Sequence, residues 1–370
     1  MRARPERVNR RESPEPERPI RNSVAAYDSW LRSQIKVVEV DLRLKREIMR
    51  ESAFVFLRGT FFRWAETIEA ICPDLVDAPE VLAVGDSHVE NFGVWRDAEG
   101  RLIWGVNDFD EAARMPYAFD LVRLAASASL ARAGEDIKVR DICAAILTGY
   151  RAHLAAPSPF VLDEGHAWMR DIAMATPERR TKFWREIKEL PDCVVPIEYA
   201  SRLRAALPPG TKELRFAARV SGVGSLGRPR YVAVAHWRGG GIVREAKALV
   251  PSAWNAFRGR PSTRSYYVEP AAGPHRSPDP FLSAEKGILV RRLAPDSRKL
   301  DLNRAGSGLE LRMLEAMGAE LANVHAASTK SVRPIGDDLA GRDAGWLRDA
   351  ARAAARAVEA DFKAWKDGGD

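Results

Sequence analysis

Hydrophobic positions recur along this chain with two different periods, and the change from one to the other divides it. From Val24 to Met49 the apolar residues Leu31, Ile35, Val38 and Leu42 fall at spacings of three and four, which predicts a helix. A compact apolar segment, FVFLRGT at 54–60, follows, and a second helix is expected over 61–71, stopped at Pro73. EVLAV at 80–84 reads as a short buried strand that runs into GDSHVENFG. VWRDAEGRLIWGVNDFD then reads as a hairpin turning at 97–100. After Pro116 a long helical region, broken only at Gly134, reaches Ala155, and a polar stretch with more helices extends to Pro209. At Leu214 the pattern becomes β-like: FAARVSGVGSLG, RYVAVAHW and GGIVREAKAL are separated by glycines, as in an antiparallel meander. Residues 258–280 read as loop and GILVRRLAP at 287–295 as one more strand. An amphipathic helix over 307–328 and an Ala/Arg-rich helix over 343–366 complete the chain.

Composition changes this picture little. The chain has 370 residues, 46% hydrophobic and 29% charged, enough for two or three structural units with sizeable cores. Three scattered cysteines, with no CxxC pair, exclude a zinc ribbon or a disulfide scaffold. There is no apolar run long enough for a membrane span and no apolar core in the first residues, so the expected location is cytoplasmic and no membrane partner is expected. Of the net charge of +7, the first fifty residues supply 13 Lys/Arg against 8 Asp/Glu, so most of the excess lies in one terminal arm. Residues 1–22, rich in Arg, Glu and Pro, read as a disordered basic arm. That arm is the one segment whose charge invites nucleic acid; elsewhere no aromatic ladder lies on a basic stripe, and nucleic acid is not the expected partner.

Two constellations carry chemistry. Gly85-Asp86-x4-Asn91 is followed across a hairpin by Asn107-Asp108-Phe109-Asp110, which returns oxygen donors to one edge. Phosphoryl transfer needs an aspartate to orient the attacking hydroxyl, and an Asn and a second Asp to hold Mg²⁺. The bland alternative is an Asx-rich loop beside a hairpin with acidic ends. The second constellation, Gly222-Val-Gly224-Ser225-Leu-Gly227, lies between strand-like runs and suits a phosphate-covering turn, not a dinucleotide fold, which needs a helix after the glycines. Lys247 on the next β-run is placed to reach phosphates, or is a solvent-facing strand lysine. Arg58 reads as a phosphate contact or as a brace for a carboxylate, and Asp110 as a second metal ligand or a turn residue. His325 reads as a packed histidine at a helix end, and the run Arg179, Arg180, Lys182, Arg185, Lys188 as a solvated face.

Taken together, these parts resemble the protein-kinase-like superfamily, which includes the aminoglycoside phosphotransferases, with the parts in circularly permuted order. Read from 214, the glycine turn, Lys247, a hinge-like strand at 288–295 and the helix ending ELANVHAAS come in sequence, and the catalytic loop is then found at 85. FVFLRGT, GDSHVENFG, NDFDEA, DLVRLAAS, GVGSLG, REAKALVPSA and LANVHAAS also resemble the bacterial domain-of-unknown-function family 2252. The resemblance implies an α+β two-lobe fold: a helical lobe over 23–213, a β-rich nucleotide-binding lobe over 214–300, and helices over 301–370 returning to the first lobe. It implies Asp86 as catalytic base, His88 near the γ-phosphate, Asn91 and Asp108 on Mg²⁺, Asp120 as a brace of the catalytic loop, and Lys247 with Gly222, Gly224, Ser225 and Gly227 on the phosphates. The implied activity is Mg-ATP-dependent phosphotransfer to an unidentified small-molecule or protein hydroxyl. A non-catalytic ATP-binding module and AMP transfer on the same fold are the alternatives. Two departures stand out: Val84 replaces the usual His before the catalytic Asp, and the glutamate that should pair with Lys247 is not evident, Glu269 and Glu285 being the candidates.

Overall fold

Pairs of helices, broken where the backbone finds partners elsewhere in the fold, build the first part of the chain. The computed structural model describes residues 18–131, 137–258, 262, 264–299 and 307–368. In place of one helix from Val24 to Met49 there are two, α1 (Ile20–Gln34) and α2 (Glu39–Ile48). Ile35 and Val38, at the two ends of the link between them, are extended, and the Val38 N–H donates to the Gly227 carbonyl at 2.8 Å. A distant strand turn thus takes the donor that helix continuation would have used. The FVFLRGT segment is a helix, α3 (Ala53–Gly59), whose Ser52 hydroxyl caps the Val55 N–H, and α4 (Phe61–Ile71) follows.

The buried strand β1 (Glu80–Ala83), the hairpin β2 (Phe92–Arg96) and β3 (Leu102–Val106), and β4 (Ala113–Pro116) come next. β1 pairs antiparallel with β4, placing Val81 opposite Met115. Helix α5 (Tyr117–Ala131) is almost wholly buried, and α6 (Val139–Ala155) follows; Gly134, the expected break, lies outside the described residues. β5 (Phe160–Val161) adds to β3, and α7 (Ala167–Ala173), α8 (Pro177–Glu189) and α9 (Ile197–Ala205) fill the polar stretch.

The meander is β6 (Lys212–Ala218), β7 (Arg230–Trp237) and β8 (Gly240–Ala248), antiparallel throughout. After the short helices α10 (Ala253–Ala256) and α11 (Val268–Ala271), β9 (Ser283–Glu285) and β10 (Ile288–Leu293) complete a five-stranded sheet in the order β6-β7-β8-β10-β9. β11 (Arg298–Lys299) crosses to β2, making a second sheet ordered β11-β2-β3-β5. Helices α12 (Ser307–His325), α13 (Thr329–Gly341) and α14 (Trp346–Asp367) close the chain. The α6–α12 crossing is close because two glycines face it. A Cβ on Gly318 would stand 2.0 Å from the Ile146 carbonyl, and one on Gly149 1.8 Å from that of Glu315.

The protein is a mixed α and β fold with one dominant core. Helices α3 to α6, α12 and α14 share it with Leu249, Val250, Trp254 and Leu289 from the region of the five-stranded sheet. One face of that sheet packs Ala233, Ala246 and Ile288 on Tyr199 and Leu203 of α9. The other face, which carries Glu245 and Lys247, looks toward the carboxylate loops. Among the described residues no helix is long and apolar enough to cross a membrane.

Candidate functional site

The loop after β1 is held by a single buried carboxylate. Asp120, in the first turn of α5, accepts the Val84 N–H on Oδ2 at 2.7 Å and the Gly85 N–H on Oδ1 at 2.9 Å. Its carbonyl accepts the Ser87 hydroxyl at 2.8 Å. Oδ2 also accepts from His325 Nε2 at 3.0 Å, while the Tyr150 hydroxyl lies 2.8 Å from His325 Nδ1. A carboxylate partner assigns the proton to Nε2, so Nδ1 accepts from tyrosine. Gly85 has φ +78°, and a Cβ there would lie 2.2 Å from the Glu111 carbonyl, so the loop requires glycine.

This bracing fixes Asp86. Its Oδ1 accepts from Arg123 Nε at 2.9 Å and from Nη2. Arg123 is buried, donates also to the Leu57 carbonyl at 3.0 Å, and lies 5.1 Å from the ring centroids of Phe61 and Trp64. Oδ2 is turned the other way: His88 Nε2 stands 3.7 Å from it, and a Cβ on Gly224 would come within 3.8 Å. The Asn91 amide donates to the Asp86 carbonyl at 3.0 Å and to the Asp108 carbonyl at 2.8 Å. Both N–H donors being used, Oδ1 of Asn91 is left as a buried acceptor with no hydrogen-bond partner.

Across from these groups stands the turn Val223–Ser225, between β6 and β7. Gly222, Gly224 and Ser225 border one cleft together with Asp86, His88, Asn91 and Asp108, and its inner volume is about 50 Å³. That is room for an ion and a few waters, not for a whole nucleotide. Gly227 does not border the cleft: a Cβ there would meet Leu42 Cδ2 at 2.3 Å, so this glycine admits α2. Lys247 is also off the lining. It is buried behind the carboxylates, with Nζ donating to Asp110 at 2.6 and 2.7 Å and to Asp108 Oδ2 at 3.3 Å. Neither glutamate candidate reaches it, because Glu269 pairs with Arg264 and Glu285 with Arg202, both on the surface. Asp110 is not a solvated turn residue: Arg228 Nη1 binds its Oδ2 at 3.0 Å and Lys247 Nζ reaches both of its oxygens, while the side chain still borders the cleft.

Three residues of the cleft, Lys45, Glu111 and Arg228, and Arg123 behind it were not singled out by any sequence motif. Lys45 on α2 donates to the Gly224 carbonyl at 3.1 Å and lies 4.8 Å from the Tyr27 ring centroid. Burial first, and then Arg228, push its ammonium down to about 8. Its spacing from Leu42 and Met49 places it on the apolar face of the helix, which was the one available sign. Arg228 joins Asp110 to Glu111, and Arg123 fixes Asp86. Glu111 accepts the Ala253 N–H at 2.7 Å and the Ser252 hydroxyl at 3.1 Å, and burial pushes its carboxyl up to about 7. Arg58 braces Glu90 at 2.9 Å, as one of its two readings expected, while bordering the cleft.

Glu111 makes a pH signature. Its carboxyl keeps a proton in the folded state that the unfolded chain releases near pH 4.3. Between about pH 4.5 and 7 the folded state therefore binds more protons, and this group's contribution to stability falls as pH rises. Glu111→Gln, neutral at every pH, should flatten the stability profile in that window, whatever its constant offset. Urea midpoints at pH 5 and 7 check this; an unchanged difference between the two pH values would contradict it.

The donor set suits a hard cation. Among the described residues no group of three or more His, Cys, Asp or Glu is arranged to hold a metal. Mg²⁺, however, takes one or two carboxylates and completes its shell with phosphate oxygens and water. The unpartnered Oδ1 of Asn91 and the carboxylate of Asp108, the most exposed of the cleft's acidic side chains at 32%, are of that kind.

Fold and cleft thus define a mixed α and β protein with a glycine turn closed over an acidic loop pair. The chain belongs to the bacterial family DUF2252, described as an uncharacterized protein conserved in bacteria, whose model matches residues 37–189 and 212–368. No curated protein and no solved structure matches the chain.

Proposed function

We propose that the protein is a kinase-like phosphotransferase that uses a Mg²⁺-bound nucleoside triphosphate, ATP by default, to phosphorylate a hydroxyl acceptor. In this reading the fold is a circularly permuted relative of the protein-kinase-like superfamily. The five-stranded sheet is its small lobe, and the helices with the Asp86 and Asp108 loops form its large one. The observation that carries the reading is the buried, unpartnered Oδ1 of Asn91. It lies between Asp86 and Asp108 and on the cleft that the glycine turn covers.

Each side chain then has a task. Asp86, with Oδ1 fixed by Arg123, presents Oδ2 to the acceptor hydroxyl and takes its proton as the oxygen attacks the γ-phosphorus. The bond from that phosphorus to the β–γ bridging oxygen breaks, and the nucleoside diphosphate leaves. His88 stands beside Oδ2, where its ring can donate to a phosphoryl oxygen. Asn91 Oδ1 and the Asp108 carboxylate would hold Mg²⁺, which neutralises charge on the phosphates when bound. The turn 222–225 offers backbone N–H groups to the phosphates, and Lys45 fixes that turn through the Gly224 carbonyl. Lys247, behind the cleft, keeps Asp108 and Asp110 oriented.

Transfer from labelled nucleotide tests the proposal. With Mg²⁺ and a bacterial metabolite extract as the source of acceptors, label from the γ-position should appear on an acceptor, and label from the α-position should not. Transfer of α-label would replace phosphoryl by nucleotidyl transfer. Stabilisation by nucleotide without transfer of either label would leave a binding module.

A further inference from the structure

A second cavity, of about 320 Å³, adjoins the small cleft. The two share walls one residue thick. Asn107 and Phe109 border the large cavity while Asp108 between them borders the small one, and Ser221 faces the large cavity where Gly222 faces the small. The small cleft has room for phosphate oxygens and a cation, and the large one has the volume of a small-molecule pocket. A nucleotide lying across the wall would put its ring in the large cavity, where Phe109 and Tyr267 stand edge to face at 6.0 Å.

Two of the arginines that border the cavity are held by a carboxylate buried behind its wall. Glu245 precedes Lys247 by two residues and shares its face of β8. It is fully buried and accepts from Arg219 Nη1 at 2.5 Å, Arg230 Nη1 at 2.7 Å and Arg291 Nε at 2.8 Å. One carboxylate against three guanidiniums leaves a positive surplus at this spot. Of these four residues Arg219 and Arg291 border the cavity, and each has further N–H groups beyond the one given to Glu245. Among the described residues bordering the cavity, Asp279 is the one carboxylate.

We infer that this cavity takes the purine of the donor nucleotide and prefers guanine to adenine. The inference rests on the proposed reading of the cleft as a nucleoside-triphosphate site, and it replaces adenine as the default base. A guanidinium has donors only. Guanine presents two adjacent acceptors, O6 and N7, to such a fork, whereas adenine places an amino donor where O6 would be. Free anions also suit arginine, but the aromatic walls and the partial neutralisation by Glu245 favour a neutral ring with acceptor atoms.

The test is calorimetric titration of the full chain with the Mg²⁺ complexes of the β,γ-imido analogues of GTP and ATP. The GTP analogue should bind about tenfold tighter or more, the discrimination expected of one good bidentate pair. Arg291→Gln, and Arg219→Gln as a second variant, should bring the two affinities together mainly by weakening the GTP analogue. Melting curves verify that the variants fold, and if neither does, the wild-type ratio decides. Equal affinities, tighter ATP binding, or a ratio unmoved in a folded variant would overturn the guanine inference and leave the nucleotide reading standing. Binding of neither analogue would overturn both.

Discussion

Asp86→Asn abolishes measurable phosphoryl transfer while nucleotide binding survives. The account asks Asp86 to take a proton from the attacking hydroxyl, and an amide cannot do so. Loss of a general base costs about 10²–10⁴-fold in rate. The amide keeps an acceptor for Arg123, whose guanidinium also retains the Leu57 carbonyl, so the loop keeps its shape. Affinity for the Mg²⁺-nucleotide complex should stay within a few-fold, because Asn91 and Asp108 are untouched. Turnover within tenfold of wild type, in protein whose melting curve is unchanged, would remove Asp86 from the chemistry. Parallel loss of turnover and nucleotide affinity would make it a structural residue of the loop.

Asp120→Ala should unfold the site and destabilise the whole chain. One fully buried carboxylate serves Val84 N–H, Gly85 N–H and His325 Nε2, and two of those donors belong to the backbone that presents Asp86. Removing it leaves buried donors without an acceptor and a cavity among α5, α12 and the loop. Leaving several buried donors unpaired and opening that cavity costs about 3–5 kcal/mol in all. Urea denaturation should show the midpoint falling with little change in slope. A loss below about 1 kcal/mol would mean that the loop is held by something other than Asp120.

His325 joins the brace of the loop from far along the chain. Its imidazole, at the end of α12, reaches the bracing carboxylate of Asp120 at 3.0 Å. It comes from a segment more than two hundred residues away in the chain. A histidine at the end of an apolar helix carries no sign of this partner, because only the packing of α12 along α6 and beside β1 brings it there.

Elements with strong local patterns were legible from sequence. The helix over 61–71, the hairpin turning at 97–100, the three-strand meander and the strand within 287–295 all stand where period and turn chemistry put them. The break at residues 35–38 was not legible: its apolar spacing suits a continuous helix, and the Gly227 carbonyl decides otherwise. Helix α13 was missed because Pro334 and a polar run conceal its buried pair Ile335 and Leu339. At the site, loop motifs were visible because glycine, Asp and Asn mark turns. Their partners, Lys45, Arg123 and Arg228, were not, since a buried cation looks in sequence like any helix or strand cation. Lys247 shows the same limit. Its place on β8 was readable, but its carboxylate partners lie some 140 residues earlier, and a search of nearby glutamates could not find them.

A crystal structure of the full chain with Mg²⁺ and a non-hydrolysable nucleoside triphosphate analogue tests the central claim most directly. The account predicts metal density touching Asn91 Oδ1 and the Asp108 carboxylate, with the phosphates beneath residues 222–225 and the γ-phosphate nearest Asp86. A triphosphate bound away from the turn, or metal density touching neither Asn91 nor Asp108, would contradict it.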